Sequence, residues 1–123
     1  MEIIRKSHEE LKAADIFLLT MNPNAQKMKH QVGSVIEIDK FVLYLDYDNA
    51  GEPDENGELP KHELLAIKDI GGEVFTTNSQ TMIRDFFRMI DLFTSMGEVV
   101  HGIKIISGTS NKNREFITCT FDH

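Results

Sequence analysis

The sequence is poor in the features that mark secreted and membrane-bound proteins. It contains one cysteine, Cys119, so no disulfide can form within the chain. It has no run of about 18 apolar residues, the length needed to span a membrane. The charged start of the chain, MEIIRKSHEELK, lacks the apolar core of a signal peptide. Together these absences predict a cytoplasmic protein with no membrane contact.

Motifs for catalysis and cofactor binding are also missing. The sequence has no Gly-rich phosphate-binding loop, no HExxH or CxxC, and no His/carboxylate spacing typical of metal or acid–base sites. The segment DYDNAG, residues 46–51, begins like a calcium loop. However, Ala50 and Gly57 stand where oxygen ligands are needed, which favours a solvated connector. The alternation around Cys119 favours a buried small hydrophobe over a nucleophile. We predict a protein that is not an enzyme and uses neither a metal nor a cofactor.

The negative charge of the chain is concentrated in one segment. The formal net charge of the 123 residues is -7. Six carboxylates and no Lys or Arg lie between Asp46 and Pro60, so this acidic segment carries -6 and leaves -1 for the rest of the chain. The surface outside residues 46–60 can therefore hold a basic patch, and the total charge does not exclude a nucleic-acid partner.

The most regular stretch, Gly72–Gly97, changes its hydrophobic period from that of a strand to that of a helix. A β-rich run, Glu73–Thr77, precedes Asn78 and Ser79, which are two good N-cap residues. Apolar residues then recur at helical spacing as far as Gly97, a favourable C-cap. We predict a strand followed by an amphipathic helix whose Met and Phe side chains pack in the core. The alternative is that these side chains line a ligand pocket.

Residues 1–30 are predicted to form a helical extension in front of the main domain. Ser7 and Glu10 have the spacing of a capping box, which predicts a helix that ends before Asn22. Pro23 can then begin a second helical turn that stops at Gly33. This second turn is a small basic element, and its cationic residues are Lys27, Lys29 and His30.

Residues 31–123 are predicted to form one β-rich domain. In the run VGSVIEIDKFVLYLDYD the apolar residues change parity near Asp39–Lys40, which requires a bulge or bend and allows one strand to serve two sheets. Further strands are predicted at HELLAIKDI, EVFTT, VVHGIKIIS and EFITCTF, the last two forming a hairpin around residues 108–114. Three strands, a helix and two strands follow the order of an OB-fold, a five-stranded Greek-key barrel. A five-stranded meander with a packed helix is the alternative.

The surface that OB-folds commonly use for binding would carry aromatic and cationic residues here. It comprises the second and third barrel strands and the loops after the first and fourth. The residues predicted to lie on it are Tyr44, Tyr47, Lys61, His62, Lys68, Phe75, Lys112, Arg114 and Phe116. Rings stack on bases while Lys and Arg neutralise phosphates, so this set favours single-stranded nucleic acid.

The aromatic residues of this set have competing roles. Phe75 and Phe116 could each pack in the core instead of contacting a ligand. Tyr44 and Tyr47 have opposite parity, so in a regular strand only one of them faces the ligand. We predict that Tyr47, which is nearer to the loop, is the stacking residue, with Phe116 as a second platform.

Three segments also carry a resemblance to a known family. VGSVIEIDKFVLYLDYD, LLAIKDIGGEVFTTNSQTMIRDFF and IISGTSNKNREFITCTF, within residues 31–121, resemble small single-stranded DNA-binding proteins of phages and conjugative elements of Gram-positive bacteria. The resemblance implies an OB-fold, sequence-independent binding of single-stranded DNA in replication or transfer, and a homo-oligomer formed along the strand. The alternative is an OB-type protein-interaction module of a mobile element that binds no DNA directly and docks a basic partner on its acidic segment.

Overall fold

A curled, open sheet is the main feature of the fold. The computed structural model describes residues 1–8, 10–47, 52–53, 55–57 and 61–122, with the backbone alone for Tyr47. The strands are β1 (Glu2–Lys6), β2 (Gln26–Lys27), β3 (Val35–Tyr47), β4 (Lys61–Asp69), β5 (Val74–Thr77), β6 (Gly102–Thr109) and β7 (Glu115–Asp122). The helices are α1 (Ala13–Thr20), a short 3₁₀ helix (Met28–His30) and α2 (Gln80–Ser95). The prediction of a mainly β protein is confirmed.

The strand order of the sheet is β2-β5-β4-β3-β6-β7, and β1 pairs beside this path with β3. The pair β2–β5 is parallel, whereas the other pairs among the described residues are antiparallel. Within the described residues β2 and β7 are the two ends of the path and do not pair with each other. The sheet is therefore barrel-like in its curl but open between these two ends.

The predicted bend in the long strand is confirmed. The pairing of β3 with β4 shifts its register between Ile38 and Lys40, which marks a bulge at Asp39. Before the bulge, residues 35–37 pair with β6, and after it residues 40–47 pair with β4. Because of the extra residue, Ile36 before the bulge and Phe41 after it both enter the main core despite their opposite parity. One strand thus joins the two halves of the sheet.

Helix α2 has the predicted caps and fills the curl of the sheet. At its start the Ser79 hydroxyl accepts a hydrogen bond from the Met82 amide at 3.3 Å. At its end Gly97 adopts φ +72°, and the amides of Gly97 and Glu98 donate to the carbonyls of Thr94 and Phe93 at 3.0 and 2.8 Å. These are the two bonds of a Schellman motif.

The inner face of α2 forms the centre of the main core. Phe86 and Phe87 pack edge to face with each other and with Phe41, with ring centroids 5.1 to 5.7 Å apart. Met82 and Ile83 are buried beside them. The interpretation of the regularly spaced Met and Phe residues as core is confirmed for these positions.

The predicted helix start at Ser7 is wrong, because the chain opens with a strand. The Ser7 amide donates to the Phe41 carbonyl, and its hydroxyl accepts from the Phe41 amide, both at 3.0 Å. Ser7 therefore extends the pairing of β1 with β3 instead of capping a helix. Helix α1 begins at Ala13, where the Asp15 carboxylate accepts from the Lys12 amide at 3.1 Å.

The segment after α1 is also less helical than predicted. It contains β2 and the single 3₁₀ turn, and it leaves this turn through Gly33 at φ +90°. The extension contacts the rest of the protein at both α2 and the sheet: Arg5 binds the Asp91 carboxylate of α2 at 2.7 Å, and Leu19 packs on the outer face of β3 and β4. A domain boundary between residues 30 and 31 stays a prediction.

Candidate nucleic-acid interface

A groove of about 730 Å³ opens at the N-terminal end of α2. Four parts of the chain line it: the segment 27–32 with the 3₁₀ helix, Leu64 on β4, the segment 76–79 that leads from β5 into α2, and the hairpin of β6 and β7. These parts are remote in sequence, and the curl of the sheet brings them together. We call this space the basic groove.

The positive charge of the groove comes from the short segment around the 3₁₀ helix. Lys27, Lys29 and His30 line the groove and are exposed, whereas Met28 between them is completely buried in the main core. Burial of Met28 and the pairing of Lys27 with Thr76 hold this segment against β5. Glu115 is the one carboxylate that lines the groove within the described part of the chain. The basic groove is thus a cationic site in an acidic protein.

Hydroxyl and amide side chains line the groove next to these cations. They are Thr76, Thr77, Asn78, Ser79 and Ser107. The Thr77 hydroxyl accepts from the Ser79 amide at 3.0 Å, so the start of α2 holds this hydroxyl in place. A hydroxyl that accepts one bond still has a proton to donate. This region therefore offers neutral donors of the kind that bind phosphate and sugar oxygens.

Phe116 supplies an aromatic ring to the same groove. It is half-buried and pairs across the hairpin with Gly108. A Cβ atom at position 108 would lie 2.6 Å from Cζ of Phe116, so the ring occupies the space that any larger residue would need. Gly108 and Phe116 together therefore determine where this ring lies. Phe116 is neither fully in the core nor fully exposed, and its role as a stacking platform stays a prediction.

The tip of the hairpin presents the two cations that the sequence predicted there. Lys112 and Arg114 are exposed in the loop that follows β6. The Ser110 hydroxyl accepts from both of their amides, at 3.3 and 3.2 Å, and the Ser110 amide donates to the Arg114 carbonyl at 2.9 Å. Asn113 adopts φ +58°, a conformation that asparagine tolerates. The loop thus has a defined hydrogen-bonded shape beside Phe116.

Two aromatic residues predicted for the binding face lie inside the protein. Tyr44 is 5% exposed in a small cluster with Leu19, and Phe75 is 6% exposed in the main core. Burial raises the pKa of Tyr44, with a smaller contribution from the negative charge of Asp46. Neither ring presents a face to a ligand, so both are removed from the candidate site. Tyr44 is buried because α1 covers the outer face of β3.

The three basic residues predicted on β4 differ in their surroundings from the hairpin cations. Lys68 is half-buried, and its ammonium lies 3.2 Å from the Asp39 carboxylate at the bulge. Lys61 and His62 begin β4, opposite Tyr47 and Asp46, and neither lines the basic groove. The structure therefore brings Phe116 to the groove and leaves these three residues elsewhere.

Some predictions fall on residues outside the described part. They concern the side chain of Tyr47 and the stretches 48–51, 54 and 58–60 of the acidic segment. The stacking role of Tyr47 and the comparison of residues 46–51 with a calcium loop stay as stated from the sequence.

Lys27, Lys29 and His30 are the functional candidates that the sequence analysis did not place in the site. Their charge was recognised, but they were assigned to a helical extension. The parallel pairing of β2 with β5 brings them to the basic groove. The buried methionine between two lysines was the available signal, since it predicts an anchored segment with outward cations.

Two further observations concern metal binding and the one cysteine of the chain. Among the described residues, no group of three or more His, Cys, Asp or Glu side chains is arranged to hold a metal ion. Burial and the nearby Asp85 raise the pKa of Cys119 to about 12, so its thiol stays protonated at neutral pH.

The described helices are too short or too polar to cross a membrane. Comparison of the chain with protein-family models, with curated proteins and with solved structures gives no match.

Proposed function

We propose that this protein binds single-stranded DNA in the basic groove, largely without sequence preference. The observation that carries the proposal is the meeting of Lys27, Lys29 and His30 with the ring of Phe116 in one groove. Cations neutralise phosphates and an aromatic ring stacks on an unpaired base, which is the combination that single-strand binding requires. A duplex would satisfy the cations but would offer no unpaired base to the ring.

The proposal includes an OB-type fold. The order β5-β4-β3-β6-β7 corresponds to strands 3-2-1-4-5 of an OB barrel that is open between its third and fifth strands. OB-folds bind on the face of their second and third strands and on the loop between the fourth and fifth. Here these parts are β4, β5 and the loop with Lys112 and Arg114. The position of the basic groove supports this reading.

The biological setting is proposed from the resemblance alone. Segments within residues 31–121 resemble single-stranded DNA-binding proteins of phages and conjugative elements, so we propose a role in replication or transfer of such DNA. Self-association along the strand belongs to the same proposal. In this role the protein coats DNA and performs no chemistry on it.

Fluorescence anisotropy with labelled oligo-dT, a matched duplex and a matched RNA, at several salt concentrations, tests the proposal. With roughly three to five phosphate contacts, the logarithm of affinity is expected to fall with the logarithm of salt at a slope of about -2 to -3.5. The single strand is expected to bind more tightly than the duplex. Equal affinity for duplex, or no binding at low salt by a folded protein, would contradict the proposal and favour a protein-interaction module.

A further inference from the structure

A second groove, of about 580 Å³, lies at the C-terminal end of α2. Its apolar lining residues come from β3, the turn after β4, α2, the segment before β6, and the end of β7. They are Ile38, Ile70, Phe93, Val99, Val100 and Phe121. We call this space the apolar groove. It shares no lining residue with the basic groove.

Backbone hydrogen bonds hold the parts of the apolar groove together. The Ile70 amide donates to the Glu37 carbonyl at 3.0 Å, and the Ile38 amide donates to the His101 carbonyl at 2.7 Å. The rings of Phe93 and Phe121 pack with their centroids 5.6 Å apart. These contacts tie the turn after β4, the start of β3 and the segment before β6 to one another. The groove is therefore part of the folded framework.

Three of the six apolar side chains that line this groove are exposed. Ile70 is 69%, Val99 68% and Phe121 43% exposed to solvent. Single exposed apolar residues are common, but a contiguous exposed set in a groove marks an interaction surface. Because the Schellman motif at Gly97 ends α2 abruptly, the chain runs out past Val99 before it returns to the sheet as β6. The exposure of Val99 follows from this path.

Charge identifies the kind of molecule that fits. Glu37 and Asp122 line the groove and are exposed, and His101 lies between the apolar residues. Among the described lining residues there is no Lys or Arg. The carboxylates would repel a phosphate backbone, so this is a poor surface for nucleic acid. Two copies meeting through the same groove would bring carboxylates against carboxylates.

We infer that the apolar groove docks a segment of another protein, one that carries aliphatic or aromatic anchor residues flanked by Lys or Arg. The anchors would cover Ile70, Val99 and Phe121, and the flanking cations would pair with Glu37 and Asp122. Such a segment matches the groove in both polarity and charge. The inference stands on the geometry of this groove and does not depend on nucleic-acid binding by the other.

Selection from a display library of random short peptides on the full chain, with counter-selection on Val99→Asp, tests the inference. The enriched peptides are expected to share apolar anchors next to Lys or Arg. A synthetic peptide of the enriched sequence is then titrated by calorimetry. Val99→Asp is expected to weaken its binding about tenfold or more, because it places a charge among the anchors.

Matched variants separate the groove from general surface effects. Val35→Asp changes another exposed valine, outside the groove, and is expected to leave peptide binding unchanged. The pair Glu37→Lys and Asp122→Lys is expected to weaken the basic peptide and to reverse its dependence on salt. Circular dichroism and thermal melting verify that each variant is folded, and Ile70→Ser replaces Val99→Asp if the latter does not fold.

Three results would overturn the inference. They are the absence of a common peptide pattern, equal binding by Val99→Asp and the parent, and self-association of the parent that Val99→Asp abolishes. The last result, seen by sedimentation, would make a second copy the occupant. Oligo-dT binding is measured on the same proteins and is expected to be unchanged in Val99→Asp. If the parent does not bind oligo-dT, that result contradicts only the proposed function.

Discussion

The two ends of helix α2 open into grooves of opposite character. At its N-terminal end the basic groove contains Lys27, Lys29 and His30 with hydroxyl groups and one aromatic ring. At its C-terminal end the apolar groove contains exposed aliphatic residues with Glu37 and Asp122. The helix dipole has the same sign as the side chains at each end, positive at the first and negative at the second. The two grooves thus suit different partners.

This difference shows why the net charge of a small protein says little about its partners. The chain carries -7 overall, yet a cationic groove is present because much of the negative charge lies in residues 46–60 and some lines the other groove. Interactions between exposed charges are screened beyond about 10 Å at 0.1 M salt, so a ligand responds mainly to the charges of its own groove.

Reversing the charge of the basic groove is expected to have the largest effect on oligo-dT binding. The double change Lys27→Glu and Lys29→Glu removes two phosphate contacts and adds repulsion. Each contact contributes about 0.7 to the salt slope, which corresponds to about fivefold in affinity at 0.1 M salt. Loss of two contacts is therefore expected to lower oligo-dT affinity by roughly 25-fold or more. Lys6→Glu with Lys12→Glu makes the same charge change on exposed lysines outside the groove. If both pairs weaken binding equally, the groove is not the binding site.

Removing the ring of the basic groove tests stacking separately from charge. Phe116→Ala is expected to cost about 1–3 kcal/mol in oligo-dT binding and to leave the salt slope nearly unchanged. Phe17→Ala is the matched control, because Phe17 is exposed on α1, away from the groove. Tyr47→Ala belongs to the same series, since its predicted stacking stays open. Unchanged binding by folded Phe116→Ala and Tyr47→Ala would show that the stacking surface is misplaced.

The hairpin cations are expected to contribute less. Lys112→Ala or Arg114→Ala removes one phosphate contact, so each is expected to lower affinity by about fivefold at 0.1 M salt and to reduce the slope by about 0.7. Anisotropy titrations across salt concentration give both values. Arg84→Ala, an exposed arginine on α2, is the control. If both hairpin variants keep the salt slope of the parent, the nucleic acid does not pass over this loop.

The smallest effect is expected from Gly108→Ala, which leaves every ligand group in place. The added methyl group would lie 2.6 Å from the present position of the Phe116 ring, so the ring must move. Oligo-dT affinity is expected to fall by less than in Phe116→Ala, with an unchanged salt slope and a folded hairpin. In the background of Phe116→Ala the same change is expected to have no further effect on binding. An additional loss there would mean that Gly108 acts by another route.

Much of the secondary structure followed from local patterns. The change of parity at Asp39–Lys40 predicted the bulge, and Asn78, Ser79 and Gly97 predicted the limits of α2. The glycine-containing hairpin between β6 and β7 was likewise predicted from its turn residues. Such features depend on neighbours in sequence, for which periodicity and backbone preferences are sufficient.

The site was predicted less well, because it depends on which elements cover which faces. Tyr44 and Phe75 have the side chains that stacking needs, but α1 covers the first and the main core encloses the second. Ser7 with Glu10 matches a capping box, yet the hydrogen bonds of Ser7 go to Phe41, which is 34 residues away in sequence. In both cases a long-range contact overrides a local preference.

The sequence by itself determined the bend of the long strand, helix α2 with its caps, the final hairpin with Lys112 and Arg114, and the location of most of the negative charge. Only the tertiary structure decided that Lys27, Lys29 and His30 join Phe116, and that Ile70, Val99 and Phe121 line a second groove. The reason is physical: turns and caps are local, whereas a groove forms where segments distant in sequence meet. The pairing of β2 with β5 and the curl of the sheet create those meetings.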